Sequence, residues 1–517
     1  MLLRSYQTCL SVVRHFSIRA TAETLAQTST SAGPNSPRGR DTLGRRLLSL
    51  VYPKRSAVIA INKWKEEGNT ARKYELNRIV RELRKLKRYK HALEICEWMT
   101  SQPDIKLLPG DYAVHLDLIA KVRGLSSAEK FFEDLPDQIR GQPTCSALLH
   151  VYVQNNLTDK AEALMLKMSE CGLLKNPLPY NHMLSLYMSN GNFEKFHETI
   201  QELKKNISPD VVTFNLWLTV CASQDDVEGA ESVSLELKKA KLDPDWVTYS
   251  TLTNLYIKNA LPKKAATTLK EMESRTSRKT RVAYPSLLSL HTNMGNKGEV
   301  FRIWKKMKSC FRKMHDAEYT CMISSLVKLS EFTEAENYYQ EWESVTGTRD
   351  VRVSNILLAS YINRDQMETA ENFFNQFVQK GIDPCYTTWE LFTWGYLKKN
   401  DVDKVLDNFK KTITSVKRWN PDQSLVRKIF KMLEEQAHVE GAEQLLVALQ
   451  DAGHVNTEIY NLLLKTYAKA GKMPLIVAER MKKDNVPLDE ETHRLLELTS
   501  KMCVSDVSSI LSQGHAA

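Results

Sequence analysis

The sequence of 517 residues lacks the patterns that mark most enzymes. It has no glycine-rich phosphate loop, no convincing Ser/His/Asp arrangement, and no His-x-Glu followed by the Cys-x-x-Cys of a zinc deaminase. Its histidines are isolated, and those that fall in predicted helices are expected to be packed or surface residues: His115, His150, His182 and His291. We therefore expect no catalytic residues, no metal site and no cofactor.

Cysteines and long apolar runs are also scarce. The nine cysteines lie scattered from Cys9 to Cys503 without any Cys-x-x-Cys pair, which is typical of buried small residues in a reducing or matrix-type compartment. No apolar run approaches the roughly 20 residues that span a bilayer, so we expect no membrane contact. Lys and Arg exceed Asp and Glu by 72 − 62 = 10, an excess that favours a polyanionic partner.

What the sequence does contain is one pattern written repeatedly. Val-Val-Thr-Phe-Asn-Leu begins at Val211 and Trp-Val-Thr-Tyr-Ser-Thr begins at Trp246, an offset of 246 − 211 = 35 residues. Each copy continues through an apolar helical stretch, a polar break and a second helical stretch rich in Lys and Glu. Self-similarity at such a period predicts an array of stacked structural repeats.

The period extends in both directions and predicts about twelve repeats, which we number 1 to 12 in chain order. They start near Lys73, Pro109, Gln142, Pro177, Val211, Trp246, Arg281, Asp316, Val351, Tyr386, Gln423 and Thr457. Apolar residues at helical spacing, such as Leu252, Leu255 and Tyr256, predict two antiparallel helices in each repeat. We therefore predict an all-α fold, a right-handed superhelical α-solenoid of helix-turn-helix repeats of about 35 residues.

These features resemble the pentatricopeptide repeat family, in its P class of uniform 35-residue repeats. The motifs that carry the resemblance are Val212–Asn215, Val247–Ser250, Tyr180 with Asn181, Tyr460 with Asn461, Ala468–Gly471 and the Pro-Asp pairs that close repeats. The segment that begins Lys73-Tyr-Glu-Leu-Asn looks like the first repeat of a land-plant subgroup. Tetratricopeptide repeats have a period of 34 and a Trp/Leu-Gly/Tyr signature that is missing here.

The resemblance implies a protein that recognises single-stranded RNA, one base per repeat, through the fifth residue and the last residue of each repeat. The pairs would be Ser146 with Asn176, Asn181 with Asp210, Asn215 with Asp245, Thr320 with Asp350, Asn355 with Cys385, and Asn461 with Asp489. They imply A, U, U, G, an undefined pyrimidine and U. Four repeats have no interpretable pair, and Ser250 with Thr280 is ambiguous. A polar fifth residue is also explained by local bonding to the helix backbone.

Two further sets of residues complete the predicted RNA site. The resemblance assigns base stacking to the second residues of adjacent repeats: Leu178, Val212 and Val247. The densest basic cluster would bind phosphates or form a solvated helix face: Arg81, Arg84, Lys85, Lys87 and Arg88.

The chain is predicted to contain four segments. Residues 1–40 carry five arginines and a single acid, the composition of an organellar transit peptide, and favour the mitochondrial matrix over the chloroplast. A basic segment (41–72), the repeat array (73–489), and a capping helix with a tail (490–517) follow. We expect a monomer that acts sterically in processing, stability, splicing or translation of organellar RNA, alongside other RNA-processing proteins. The alternative is a protein-interaction scaffold such as a subunit associated with the mitochondrial ribosome.

Overall fold

The computed structural model describes residues 42–50, 55–416, 422–474 and 476–500, and every regular element in these ranges is helical. The predicted transit peptide and the tail after residue 500 lie outside them. The helices up to residue 310 are α1 (Leu43–Leu48), α2 (Ala57–Glu66), α3 (Lys73–Lys85), α4 (Tyr89–Thr100), α5 (Pro109–Arg123), α6 (Leu125–Glu133), α7 (Gln142–Gln154), α8 (Thr158–Glu170), α9 (Leu178–Ser189), α10 (Phe193–Asn206), α11 (Val211–Ser223), α12 (Val227–Lys239), α13 (Trp246–Lys258), α14 (Pro262–Arg275), α15 (Ala283–Asn293) and α16 (Lys297–Cys310). A short 3₁₀ helix, Arg278–Thr280, precedes α15.

The helices after residue 310 continue the same alternation. They are α17 (Asp316–Lys328), α18 (Phe332–Thr346), α19 (Val351–Asn363), α20 (Met367–Gln379), α21 (Tyr386–Lys399), α22 (Val402–Thr414), α23 (Gln423–Glu435), α24 (Val439–Asp451), α25 (Thr457–Lys469) and α26 (Val477–Lys483). Residues 490–500 are also helical. None of the described helices is both long and apolar enough to cross a membrane.

The predicted repeat boundaries agree with the helices. Each predicted repeat begins within two residues of the start of a helix, and Val211 and Trp246 are the first residues of α11 and α13. The largest offset is in repeat 7, where the helix begins at Ala283 rather than Arg281. The prediction of an all-α array of helix pairs is confirmed.

Tertiary contacts divide the chain into two compact blocks, Met1–Cys310 and Phe311–Ala517. In the first block, the first helix of each repeat packs against the first helix of the next along the series α5, α7, α9, α11, α13 and α15. The series α17, α19, α21, α23 and α25 does the same in the second block. Each block therefore presents a row of first helices, and every groove in that row is a joint between two consecutive repeats.

The basic segment before repeat 1 contains more structure than the sequence predicted. Helices α1 and α2 form a pair that packs against α3 and α4. The Glu94 carboxylate of α4 accepts hydrogen bonds from the backbone N–H of Ala57 at 2.6 Å and from the Ser56 hydroxyl at 3.0 Å, and therefore caps the start of α2. The Trp98 indole N–H donates to Asn62 at 2.9 Å. This pair covers the end of the array that repeat 1 would otherwise expose.

The turn between the two helices of a repeat has one recurring backbone feature. The fifteenth residue has positive φ in all repeats except repeat 2, where the next residue, Gly124, takes that conformation. The residue is glycine in some repeats, such as Gly191 (φ 70°), and carries a side chain in others, such as Ala260 (φ 54°). This residue with positive φ follows the first helix and reverses the chain at the same count in every repeat except repeat 2, where it comes one residue later.

Small residues on the second helices let the helices pack closely. The predicted alanines Ala92, Ala128, Ala161, Ala230, Ala265, Ala335, Ala370 and Ala442 are all buried. In repeat 6, Ala265 is followed by Leu269 and Met272, which are also buried and lie on the same side of α14. Neighbouring repeats therefore bury these faces against each other, and the contacts stay between sequence neighbours.

A polar contact also recurs between the second helix of one repeat and the next repeat. Glu162 of repeat 3 accepts hydrogen bonds from the Tyr187 hydroxyl at 2.9 Å and from Lys195 at 2.5 Å, both in repeat 4. The bond from Lys195, together with the one from Tyr187, lowers the pKa of Glu162. Similar Tyr–Glu contacts join Tyr361 to Glu336 and Tyr467 to Glu443. The stacking therefore depends on directional bonds as well as on apolar burial.

Candidate nucleic-acid interface

The row of first helices alternates exposed and sheltered side chains. Several second residues stand out from the face, since Tyr74 is 67% exposed, Leu178 48% and Val212 54%, whereas the predicted stacking residue Val247 is half-buried. The fifth residues lie lower, between adjacent first helices, and Asn181, for example, is buried. A flat ligand that enters between two second residues would meet a fifth residue at the bottom of the groove.

Three predicted pairs are joined by hydrogen bonds. The Nδ2 atoms of Asn181, Asn215 and Asn461 donate to the carboxylates of Asp210, Asp245 and Asp489, each at 3.1 Å. Each aspartate is the last residue of its repeat and lies directly before a helix. Asp210 and Asp245 accept bonds from the backbone N–H of the third helical residue, as helix N-caps do. The same carboxylate therefore caps one helix and holds the amide of the previous first helix.

A threonine completes each of these bridges. The hydroxyl of Thr213 donates to Oδ1 of Asn181 at 2.7 Å, and the hydroxyl of Thr248 donates to Oδ1 of Asn215 at 2.7 Å. Thr492 makes the same bond to Asn461 at 2.7 Å, although it belongs to the helix 490–500 that follows repeat 12. Each asparagine is thus held on both sides by the repeat boundary and by the next first helix.

The held amides keep capacity for a ligand. A side-chain amide has two N–H donors and an oxygen with two lone pairs. Of these groups, the bridge uses one N–H and one lone pair. One donor and one acceptor remain at Asn181 and Asn215, and this combination complements the edge of a base that offers an N–H beside a carbonyl, as uracil does. At Asn461, Nδ2 lies within hydrogen-bonding distance of both carboxylate oxygens of Asp489, at 3.1 Å and 3.2 Å.

In repeat 9 the same bridge is built with a cysteine. Asn355 Nδ2 lies 3.5 Å from the sulfur of Cys385, while the Thr388 hydroxyl donates to Asn355 Oδ1 at 3.0 Å. Burial would raise the pKa of the Cys385 thiol, but bonds from Thr388, Thr387 and Asn355 hold it below its usual value. The amide therefore has one firm partner, Thr388, and one weak partner.

Two predicted pairs are not brought together by a hydrogen bond. The Ser146 hydroxyl is buried without a hydrogen-bond partner, and the side-chain oxygen of Asn176 accepts from the backbone N–H of Leu178 at 3.1 Å. The Thr320 hydroxyl donates to the backbone carbonyl of Asp316 at 2.7 Å. Its predicted partner, Asp350, forms an ion pair with Arg352 at 2.6 Å instead. The preferences for A and G carried over from these pairs therefore remain predictions without a bridge.

The basic cluster is divided between structural contacts and the surface. Arg84 pairs with Asp117 at 2.7 Å, Lys85 with Glu82 at 2.8 Å, and Arg88 donates to the Leu48 carbonyl at 2.6 Å. Arg81 and Lys87 are exposed at the end of the array. Among the five residues predicted to bind phosphates, these two are the most accessible.

Repeat 1 contains a site that the sequence analysis missed. Asn77, its fifth residue, donates to the carboxylate of Asp111 at 2.9 Å, and Lys73 also contacts that carboxylate at 2.7 Å. Burial raises the pKa of Asp111, but bonds from Lys73, Leu108 and Asn77 outweigh it and leave the pKa lowered. Tyr74, the exposed second residue, adds an aromatic platform. Counting two and five residues from Lys73 would have identified both Tyr74 and Asn77.

The histidines in first helices are sheltered from solvent. His115 and His291 are buried and His150 is half-buried, and desolvation lowers the pKa of each, with that of His115 at about 4. The pKa of His182 also falls to about 4, and its ring lies 4.8 Å from that of His150. These side chains are therefore neutral near pH 7 and add no positive charge to the face.

One cluster has the composition of a metal site. The ligand atoms of Glu273, His291 and Glu299 lie within 4.8 Å of one another. Both carboxylates are already paired with Arg302, at 2.5 Å and 2.6 Å, and Glu273 also binds Lys306 at 3.0 Å. A cation would have to displace these two basic side chains, so the ion pairs account for the cluster.

The fold and the polar joints define an α-solenoid of helix pairs, and comparison with known proteins identifies the family. Family models described as "PPR repeat family", "Pentatricopeptide repeat domain" and "PPR repeat" match residues 209–258, 163–224, and 143–173, 247–276 and 319–345, respectively. A mitochondrial pentatricopeptide repeat-containing protein of Arabidopsis thaliana is 60% identical over 92% of this chain and 89% of its own length. A second one is 34% identical over 83% of this chain and 88% of its own length. The chain belongs to the pentatricopeptide repeat family, in its P class.

A crystal structure of the maize pentatricopeptide repeat protein PPR10 is also similar. It shares 18% sequence identity with this chain and has a TM-score of 0.45, over 89% of this chain and 71% of the maize chain.

Proposed function

We propose that this protein binds single-stranded RNA in mitochondria and recognises bases at the joints between consecutive repeats. The observation that carries the proposal is the set of four bridged asparagines: Asn181, Asn215, Asn355 and Asn461. Asn181 and Asn215 each present one unused donor and one unused acceptor in a groove between first helices. An interaction scaffold has no need for the same amide in the same orientation at separate joints.

The exposed second residues support the proposal. Val212 follows Leu178 by one repeat, and both side chains protrude beside the groove that holds Asn181. Bases that enter the grooves would pack against these aliphatic side chains, with less energy than the roughly 1 to 3 kcal/mol per base of an aromatic platform. Tyr74 offers such an aromatic platform at repeat 1.

The charge of the chain fits a polyanionic ligand. The excess of ten positive charges favours association with a phosphate backbone, and Arg81 and Lys87 are exposed beside repeat 1. The proposed RNA carries A, U, U, G, a pyrimidine and U opposite repeats 3, 4, 5, 8, 9 and 12. For single-stranded nucleic acid, the logarithm of the binding constant should fall with the logarithm of salt concentration by about 0.7 per phosphate contacted.

The proposed cellular role is steric. The mitochondrial name of the 60% identical relative supports a mitochondrial location. No catalytic arrangement stands out among the described residues, so we propose that the bound protein protects or remodels a transcript rather than cleaving it. The predicted transit peptide at residues 1–40 would direct the import.

The test is binding to synthetic single-stranded RNA. The probes carry one nucleotide per repeat in the proposed order, in both strand polarities, with single-base changes at repeats 4 and 5. We expect the wild-type protein to prefer uracil at both positions, and Asn181→Ser together with Asn215→Ser to shift both preferences. A base preference that is unchanged in this double variant would contradict the proposal. Protein that stays in ribosomal fractions after ribonuclease treatment would favour the scaffold instead.

A further inference from the structure

The bridged asparagines share a partner outside the predicted pairs of fifth and last residues. This partner is the threonine at the third position of the next repeat, or of the helix 490–500 in the case of repeat 12. The four threonines, Thr213, Thr248, Thr388 and Thr492, are buried and each donates to the Oδ1 atom of the preceding asparagine. The joint is therefore built from three side chains.

The backbone directs each of these hydroxyls. The Thr388 oxygen accepts a hydrogen bond from the backbone N–H of Cys385 at 3.1 Å. Thr213 and Thr248 accept from Asp210 and Asp245 in the same way, each at 3.3 Å. A hydroxyl has a single proton, and two acceptors lie near it at Thr213 and Thr248: Oδ1 of the asparagine at 2.7 Å, and Oδ1 of Asp210 at 2.9 Å or of Asp245 at 3.1 Å. The amide oxygen is the closer acceptor at these two joints, whereas at Thr492 both acceptors lie at 2.7 Å. The capping arrangement of the next helix therefore aims a donor at the asparagine.

An aimed donor matters because a side-chain amide can be turned by 180°, which exchanges its N–H₂ group and its oxygen. An ionised aspartate accepts hydrogen bonds and cannot donate, so Asp245 alone already favours one orientation of Asn215. The thiol of Cys385 is a weak donor and a weak acceptor and discriminates poorly. At repeat 9, Thr388 is thus the main determinant of which amide atom faces a ligand.

We propose that the third-position threonine is a positioning residue that fixes the orientation of the preceding asparagine and thereby sets the base preference of that joint. The inference rests on the proposed RNA binding and extends it to a residue outside the pair of fifth and last positions. It also ranks the joints, because the threonine matters more at repeat 9, with its cysteine, than at repeat 5, with its aspartate.

The other repeats show that the fold does not impose this contact. Thr144 occupies the same third position and is equally buried, but the preceding fifth residue is Ala113. Its hydroxyl donates to the backbone carbonyl of Ile139 at 2.8 Å or of Gly141 at 3.0 Å. Thr144 therefore provides a matched control in which the same substitution removes a hydroxyl without affecting an amide.

The experiment uses the full chain and four single-stranded RNAs that differ only at the nucleotide opposite repeat 9, with fluorescence anisotropy as the readout. We expect Thr388→Val to reduce the affinity ratio between the preferred base and its best competitor by about tenfold, in line with the discrimination of a good paired contact. Thr388→Ser, which keeps the hydroxyl, should restore the ratio. Thr248→Val, tested with RNAs varied opposite repeat 5, should reduce its ratio less, and Thr144→Val should change neither.

The outcomes separate this inference from the function on which it rests. A wild-type protein without base preference opposite repeats 5 and 9 would overturn the proposed function and this inference together. A wild-type preference that survives both Thr388→Val and Thr248→Val would overturn this inference alone. Melting temperatures of all variants identify any loss of folding, and if Thr388→Val does not fold, Thr248→Val carries the same test at repeat 5.

Discussion

The joint between repeats 5 and 6 and the joint between repeats 6 and 7 have the same helical framework but different polar contacts. On the first-helix face, the former holds Asn215 between Asp245 and Thr248. At the corresponding positions the latter has Ser250, Thr280 and Ala283, and the Thr280 hydroxyl donates to the backbone carbonyl of Ser277 at 3.0 Å. The framework and the recognition group are therefore independent, and one joint can lose the amide without losing the fold.

The two joints also differ in whether their ion pairs share residues. Three separate ion pairs join repeats 5 and 6: Asp225 with Lys258, Glu231 with Lys264, and Asp243 with Arg275. Between repeats 6 and 7, Glu273 binds both Arg302 and Lys306, and Arg302 also binds Glu299. The joint that lacks the amide bridge is thus held by a network of charges.

The largest expected effect is the loss of the amide where it is bridged. Asn215→Ala should reduce the preference for uracil opposite repeat 5 by about 1 to 3 kcal/mol, because the paired donor and acceptor are removed. Ser250→Ala, the same change at the unbridged joint, should leave base preference unchanged. The measurement is fluorescence anisotropy with RNAs varied opposite repeat 5 or repeat 6. An equal loss of base preference in Asn215→Ala and Ser250→Ala would contradict the proposed difference between the two joints.

Building the bridge into the second joint should produce a somewhat smaller gain. The triple variant Ser250→Asn, Thr280→Asp and Ala283→Thr places the three side chains of repeat 5 in repeat 6. An aspartate at position 280 supplies an N-cap, so the helix that now begins at Ala283 should start two residues earlier. We expect a new uracil preference of about 1 to 2 kcal/mol opposite repeat 6. The proposal would be contradicted if a crystal structure of the triple variant showed the bridge while binding measurements showed no preference for uracil opposite repeat 6.

The charge network predicts a difference in acid stability. The bonds from Arg302 and from Lys306 lower the pKa of Glu273 to about 2. The stabilisation from ionised Glu273 is therefore complete above its usual pKa of 4.5 and is lost as the pH falls towards 2. Glu273→Gln should lower stability by about 1 kcal/mol at pH 7, because the partly exposed Arg302 is screened by solvent, and by less at pH 3.

Thermal unfolding at pH 7, 4.5 and 3 measures this effect. Glu228→Gln is the matched control, because Glu228 is exposed on α12 and the change alters the net charge by the same amount. A stability difference for Glu273→Gln that stays constant from pH 7 to pH 3 would contradict the predicted linkage.

The smallest effects concern the turn residue with positive φ. Gly191→Ala should lower stability by about 1 kcal/mol through backbone strain alone, since a Cβ atom at Gly191 would meet no atom within 4 Å. Ala260→Gly should raise stability by about 0.5 kcal/mol, because relief of the strained φ slightly exceeds the added freedom of the unfolded chain. Both are read from melting temperatures, and base preference should not change.

The sequence predicted the positions of the helices well, because the same pattern recurs in many repeats and an uncertain assignment in one repeat is settled by the others. One apolar hairpin could be misassigned, but a shared count from Lys73 to Thr457 places each helix start within two residues. The Pro-Asp boundaries contributed for a local reason, since an aspartate before a helix satisfies a free backbone N–H. The segment 42–72 was not predicted as a helix pair, because it lies outside the recurring pattern.

The site was predicted less completely, because a pair of positions does not reveal competing partners. Asp350 is followed by Arg352, which takes the carboxylate that Thr320 was predicted to share. Asn215 and Asp245, which the resemblance paired for base recognition, are joined by a hydrogen bond, but the contact with Thr248 could not be read from their own repeat. The ion pair that competes for Asp350 and the threonine that completes the bridge to Asn215 both come from the next repeat. Only the folded chain brings these residues together.

Each three-part bridge joins side chains from both sides of a repeat boundary, so the structural unit that holds an asparagine is larger than one repeat. Because Asn461 is held by Thr492, the proposed recognition site of repeat 12 depends on a helix beyond the array. The proposed sites therefore lie at the boundaries between repeats. Joining this chain to a different repeat protein between residues 210 and 211 would separate Asn181 from Thr213. A portable recognition cassette should extend from the fifth residue of one repeat through the third residue of the next. Exchange points therefore belong outside this span, in the turn of the preceding repeat and the turn of the following repeat.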